Sequence, residues 1–183
     1  MLYIIRHGTT DWNEQHRLQG RTDIPLNEEG RQMARRAAEE YREVHFDECY
    51  CSPLVRARET AQILLEGRNV PIYVDERLAE MSFGEYEGME YSFSRPECPI
   101  DVFFTAPEQY TVPIGGAESL DGLFARTGEF LRETVYPKLD EGKDILIVGH
   151  GAMNSSIVCR IREMPRRDFW KAGIENCKLM RLI

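Results

Sequence analysis

Long apolar runs are missing from this sequence. Stretches such as "DILIVG" at Asp144 to Gly149 fall far short of the roughly 20 residues that a membrane-spanning helix requires, which excludes a helical membrane protein. A secretory leader is missing too: "MLYIIRHG" has neither a basic leader nor a small-residue cleavage site, and it reads as the first strand of a cytoplasmic chain. Cysteine is sparse and shows no pairing pattern. Cys49, Cys51, Cys98, Cys159 and Cys177 form an odd set without CxxC spacing, mostly inside apolar stretches, so buried thiols are expected in place of disulfides or a zinc site. Positive charge is in deficit, with 23 Lys+Arg against 31 Asp+Glu and a formal net charge of -8. A chain without an extended basic face is no general nucleic-acid binder. A small anion demands less, because a few arginines and helix N-termini focused into one pocket suffice.

What is present reads as one domain over residues 1–183, a length that buries a full core without staples. Leu2 to Arg6 is a short β-branched and aromatic run bounded by Gly8, the pattern of a buried strand. From Asn27, helical spacing puts Met33, Ala34, Ala37, Ala38 and Tyr41 on one face. "FDECYCS" reads as a second strand, followed by a helix with Ser52 as N-cap, Pro53 at its first position and Arg56 in its first turn. Val70 to Val74 is a third strand, pushed to a sheet edge by Pro71. Between Gly88 and Ala117 periodicity is lost and Pro96, Pro99, Pro107 and Pro113 gather with Tyr91, Phe93, Phe103, Phe104 and Tyr110, a lid-like insertion. Helical spacing returns over Glu118 to Leu139, a buried strand follows at Asp144 to Val148, a helix at Gly151 to Ile161 and a last strand at Lys178 to Leu182. Alternating strands and helices without internal repeats predict a three-layer α/β/α sandwich around a mostly parallel sheet.

Three predicted strand ends carry unusual polar residues: "RHG", "SPLVR" and "GHG". Ligands of open α/β sheets lie beyond the carboxyl ends of the strands, which gives Arg6, His7, Arg56 and His150 a common crevice. Adjacent strand side chains face opposite ways, so Arg6 and His7 reach one ligand only if the strand ends there, a turn that Gly8 allows. Histidine alone is a weak sign, and His16 and His45 keep an ordinary structural reading.

The ordered set "RHGTTDWN", "LQGRTDIPLNEEG", "CSPLVRARETA", "LAEMSFGEYEG", "GGAES" and "VGHG" resembles the histidine phosphatase superfamily, also called phosphoglycerate mutase-like, over nearly the whole chain. The resemblance implies a phosphatase with its phosphate pocket at Arg6, His7, Arg56 and His150, bordered by Thr10, Asn13, Gln19, Gly20 and Gly151. His7 would be the nucleophile and Glu80 the proton donor, with Glu85 and Glu87 as competitors in the same acidic turn. The residue types suit that chemistry. Two guanidiniums and a histidine clamp the equatorial oxygens of a transferring phosphoryl group, arginine's fork serves better than lysine, and a neutral imidazole needs neither metal nor cofactor to act as nucleophile.

Thr9 stands where the family often has glutamate, Ser155 where many relatives have arginine, and Tyr86 where tryptophan is frequent. A mutase needs further cations over the pocket mouth, yet the insertion offers Arg95 alone amid Glu90, Glu97, Asp101 and Glu108. Hydrolysis of a small phosphorylated metabolite is therefore preferred to phosphoglycerate mutation or to non-catalytic binding of a phospholigand. The "FGEYEG" turn also resembles alpha-ribazole and broad-specificity phosphatases, and the aromatic residues of the insertion fit either a partly apolar leaving group or a small core of its own. Oligomeric state is not legible, a homodimer being one compatible arrangement.

Overall fold

The computed structural model describes residues 1–90, 98–110 and 114–183. β1 (Leu2–Arg6) and β4 (Ile145–Gly149) pair in parallel from Leu2↔Ile145 to Arg6↔Gly149. β2 (Glu48–Cys51) runs parallel to β4 on one side and to β3 (Ile72–Val74) on the other, and a short β5 (Met180–Arg181) lies antiparallel to β1. The resulting order is β3-β2-β4-β1-β5. β3 is the edge, as Pro71 implied, and its Tyr73 and Val74 are exposed.

Strand alternation divides the interior between two cores. Leu2, Ile4, Tyr50, Ile145 and Ile147 face one; Ile5, Cys49, Cys51, Leu146 and Val148 face the other. The second core is covered by α2 (Glu28–Glu40) and α3 (Val55–Leu64) through Ala34, Ala37, Ala57, Ala61 and Leu64. The first is covered by α5 (Leu120–Phe130) and α7 (Gly151–Ile161) through Leu123, Phe130, Ile157 and Val158. Both faces of the sheet are thus filled by helices, the predicted three layers. All five cysteines are free, and burial pushes the thiols of Cys49, Cys51, Cys159 and Cys177 up, away from reactive thiolate. No helix among the described residues is long and apolar enough to cross a membrane.

Three local expectations are corrected. α3 starts at Val55, not at Pro53, and Leu54 in the cap position supplies no side-chain bond. Asp23 Oδ1 accepts the Val55 N–H at 2.7 Å, while the Ser52 hydroxyl, 2.6 Å from His150 Nε2, still accepts the Leu54 N–H at 3.2 Å as a local cap would. The helix expected over Glu118 to Leu139 is capped by Ser119, which accepts the Gly122 N–H at 2.9 Å. It widens into a π turn at Leu131–Val135 before α6 (Tyr136–Asp140). Pro137 accounts for this, since it has no N–H to give and its ring crowds the carbonyl one turn back. In the insertion, residues 98–110 form a short α4 (Asp101–Thr105) and a turn at Pro107–Gln109. Ile100, Phe103 and Tyr110 are buried in the main core and not in a core of their own. The readings placed on Tyr91, Phe93, Arg95, Pro96, Glu97 and Pro113 lie outside the described residues.

Candidate active site

The register of β1 against β4 assembles the center of the site. Arg6 ends β1 opposite Gly149, the last residue of β4, so the residues that follow, His7 and His150, come side by side with ring centroids 5.1 Å apart. The His7 N–H donates to the Gly149 carbonyl at 3.0 Å, and Asn176 Nδ2 donates to the His7 carbonyl at 2.7 Å. Gly8 serves a purpose other than a special turn conformation. A Cβ there would lie 2.3 Å from the Gly30 carbonyl oxygen, so the loop rests directly on the first turn of α2.

One hydrogen bond fixes the His7 tautomer. Nδ1 lies 2.6 Å from the Gly8 carbonyl oxygen, which only accepts, so Nδ1 carries the proton and Nε2 keeps its lone pair. Arg56 Nε donates to that Nε2 at 3.3 Å. Burial, then the positive charges of Arg56 and Arg6, hold the His7 pKa well below its ordinary value. Burial, Arg56 and His7 do the same to His150, whose Nε2 is 2.6 Å from Ser52 Oγ and whose buried Nδ1 has no partner among the described residues.

Arg56 is 1% exposed, an unusual position for a guanidinium. It donates from Nη2 to the Gly20 carbonyl at 2.7 Å and from Nη1 to the Thr22 carbonyl at 3.0 Å, which ties α3 to the loop after α1 (Asp11–Glu14). Burial lowers its pKa to about 10, opposed by the charges of Glu80 and Asp23, so it remains a cation at neutral pH. Arg6 is also lowered by burial and partly supported by Glu80, and its Nε has no hydrogen-bond partner among the described residues.

Glu80 is buried against the N-terminus of α7. Its Oε1 accepts from Met81 N at 2.8 Å and Met153 N at 2.9 Å, and its Oε2 from Ala152 N at 3.2 Å, the arrangement a helix N-terminus favors for a carboxylate. Its competitor Glu87 is used otherwise: it clamps the backbone N–H groups of Arg21, Thr22 and Phe83 and does not line the pocket, nor does Glu85.

A cavity of about 410 Å³ opens above these groups. Of the expected residues, Arg6, His7, Asn13, Gln19, Gly20, Arg56, Glu80 and Gly151 line it. His150 stands behind His7, fully buried, and Thr10 is withdrawn from the lining. The Thr10 hydroxyl donates to Gln19 Oε1 at 2.8 Å and accepts the Asn13 N–H at 3.2 Å, a capping box that shapes the loop. Sequence reasoning missed Arg17, Leu18, Phe83, Ala152, Trp170 and Ile174, which line the cavity with Phe104 and Ser155. Arg17 directly precedes a quoted motif and was open to detection, whereas nothing in "RRDFWKAG" marks Trp170. His45, Asp47 and Asp144 could gather ligand atoms within 4.8 Å of one another, but they sit where β2 and β4 begin, away from the cavity, and Asp144 is paired with the N-terminal ammonium at 2.8 Å.

The fold and this crevice define an α/β enzyme in which a neutral histidine and two arginines face one anion-sized hollow beyond the carboxyl ends of parallel strands. The profile of the histidine phosphatase superfamily (branch 1) matches residues 2–183. Phosphoserine phosphatase 1 of Hydrogenobacter thermophilus is 29% identical over 175 residues, which cover 96% of this chain and 82% of that protein. The solved structure of Bacillus stearothermophilus YhfR superposes with a TM-score of 0.86 at 35% identity, covering 97% of this chain and 88% of that one. A phosphoserine phosphatase from Entamoeba histolytica, solved with phosphoserine, gives 0.81 at 30% identity, with 97% and 87% covered. The chain belongs to the histidine phosphatase superfamily, branch 1, and it is a phosphatase.

Proposed function

We propose that the chain hydrolyses a small phosphomonoester through a phosphohistidine on His7. His7 Nε2 attacks phosphorus while the bond to the leaving oxygen breaks, and protonated Glu80 passes its proton to that oxygen. Water then attacks the P–N bond, returns a proton to Glu80 and releases inorganic phosphate, restoring His7. Arg6 and Arg56 hold the equatorial oxygens, His150 supports them from behind His7, and Asn13, Gln19, Gly20 and Gly151 border the phosphate, with Thr10 shaping the loop. The reading uses no metal or cofactor.

The observation that carries this reading is the pair of contacts on the His7 ring: Nδ1–H bound to the Gly8 carbonyl at 2.6 Å and a lone pair on Nε2 facing Arg56 at 3.3 Å. A nucleophilic imidazole requires that tautomer, and the same carbonyl supports the ring's positive charge once Nε2 is phosphorylated. The test is a rapid acid or alkali quench after mixing with a radiolabelled phosphomonoester. An acid-labile, alkali-stable phosphoprotein is expected from the native chain and none from His7→Ala; labelling that survives in His7→Ala removes His7 from the role. Isomerisation of 3-phosphoglycerate with a bisphosphoglycerate primer and little phosphate release would replace hydrolysis by mutation, and failure of a broad phosphomonoester panel would leave a binding module.

A further inference from the structure

We infer that the apolar walls of the pocket select a phosphomonoester whose leaving group presents a flat apolar face, with Trp170 setting that preference; the inference rests on the phosphatase reading of the charged groups in the same pocket. The lining has two characters. Arg6, His7, Arg56 and Glu80 supply its charged and titratable groups, and Leu18, Phe83, Phe104, Trp170 and Ile174 its apolar walls.

Trp170 sits in a 3-10 segment, Arg166–Ala172, and is 37% exposed. The indole is nevertheless fixed. Its Nε1 donates to the Phe103 carbonyl at 2.9 Å, and its ring lies 5.4 Å from Phe104 at an interplanar angle of 15°. It also meets Phe103 and Phe169 edge-on at 5.1 and 4.9 Å. A ring immobilised before binding loses little entropy when a ligand packs against it, and with its polar atom already satisfied it presents only its apolar surface.

Two further features favor an apolar leaving group. α7 contributes only the small side chains of Ala152 and Ser155 to the lining, which leaves width for a ring. Among the described residues Glu80 is the one carboxylate of the lining, and its two oxygens already accept three backbone N–H groups. An ammonium group on the leaving alcohol would therefore find no second carboxylate to pair with among the described residues of the lining, only the neutral acceptors of Asn13, Gln19 and Ser155. Arg17 also lines the pocket, is exposed, and donates from Nη1 to the Gly88 carbonyl at 3.3 Å.

The test compares kcat/KM for 2-phenylethyl phosphate with those for glycerol 3-phosphate and phosphoserine. All three are alkyl esters of similar intrinsic reactivity. The aryl substrate should be preferred by about tenfold or more, the factor that about 1.4 kcal/mol of ring packing supplies. Trp170→Ala should collapse that ratio, chiefly through KM, and Trp170→Phe should restore most of it. Equal or better use of phosphoserine, or an equal loss for all substrates in Trp170→Ala, overturns the inference while the phosphatase reading stands. Absence of turnover and of an acid-labile phosphoprotein with every substrate overturns both.

Discussion

Two buried neutral imidazoles at the end of the sheet make stability depend on pH in a defined window. The folded chain holds His7 and His150 well below their ordinary pKa, while the unfolded chain protonates them near about 6.5. Below that value the unfolded state binds more protons, so stability is complete above it and falls as pH drops through the interval between the unfolded and folded values. Urea midpoints measured between about pH 5 and 7, above the usual carboxylate range, should decline with acidification in the native chain and much less in a His7→Gln/His150→Gln variant. An equal slope in both would assign the effect elsewhere. Glu80 anchors the N-terminus of α7, and the proposed mechanism gives it a second, separable duty as proton donor. On the proposed mechanism, Glu80→Gln should slow alkyl phosphate hydrolysis by about 10²- to 10⁴-fold. It should slow p-nitrophenyl phosphate hydrolysis far less, because that leaving group needs no proton. A uniform loss would mark Glu80 as a scaffold only.

Among the elements, the loop from Arg6 to Thr10 depends most on close packing. Gly8 and Gly30 face each other across backbone: a Cβ on Gly8 would come within 2.3 Å of the Gly30 carbonyl oxygen, and one on Gly30 within 2.1 Å of the Thr9 carbonyl oxygen. Gly8→Ala therefore has to separate β1 from α2. The cost expected for such overpacking is about 1–3 kcal/mol or more, and because the Gly8 carbonyl orients the His7 ring, a displacement near 1 Å should lower kcat by about 10²-fold. Chemical denaturation and steady-state kinetics of that variant check both. The strands, α2 and α7 were legible in the sequence because period-2 and helical patterns state directly which face is buried. The start of α3 was not, because the N–H of its first residue, Val55, is taken by Asp23, a partner 32 positions away. Nor was the π turn, where Pro137 alters a helix whose apolar spacing is otherwise regular.

Across the whole molecule the two ends of the sheet divide labor. The candidate site residues collect where the strands finish, and a charged network ties the other end. Glu48, buried at the start of β2, accepts the Tyr50 hydroxyl at 2.7 Å, pairs with Lys143 and lies 3.7 Å from Lys138. Glu48→Ala should cost about 1–3 kcal/mol, the range for leaving buried polar partners unmatched, and leave kcat/KM unchanged. A fall in activity without a fall in stability would show that the two ends are coupled.

The sequence by itself determined the alternation of elements, the layered architecture and the identity of the polar residues at the strand ends, because burial pattern and motif order are properties of the chain read in one dimension. It also carried the family, since the six motifs occur in order. Only the tertiary structure decided which histidine nitrogen holds the proton, that Arg56 is enclosed, that Glu87 clamps a loop while Glu80 lines the cavity, and that Trp170 forms a wall. Each of these depends on contacts between segments far apart along the chain, made by β-strand register and helix packing.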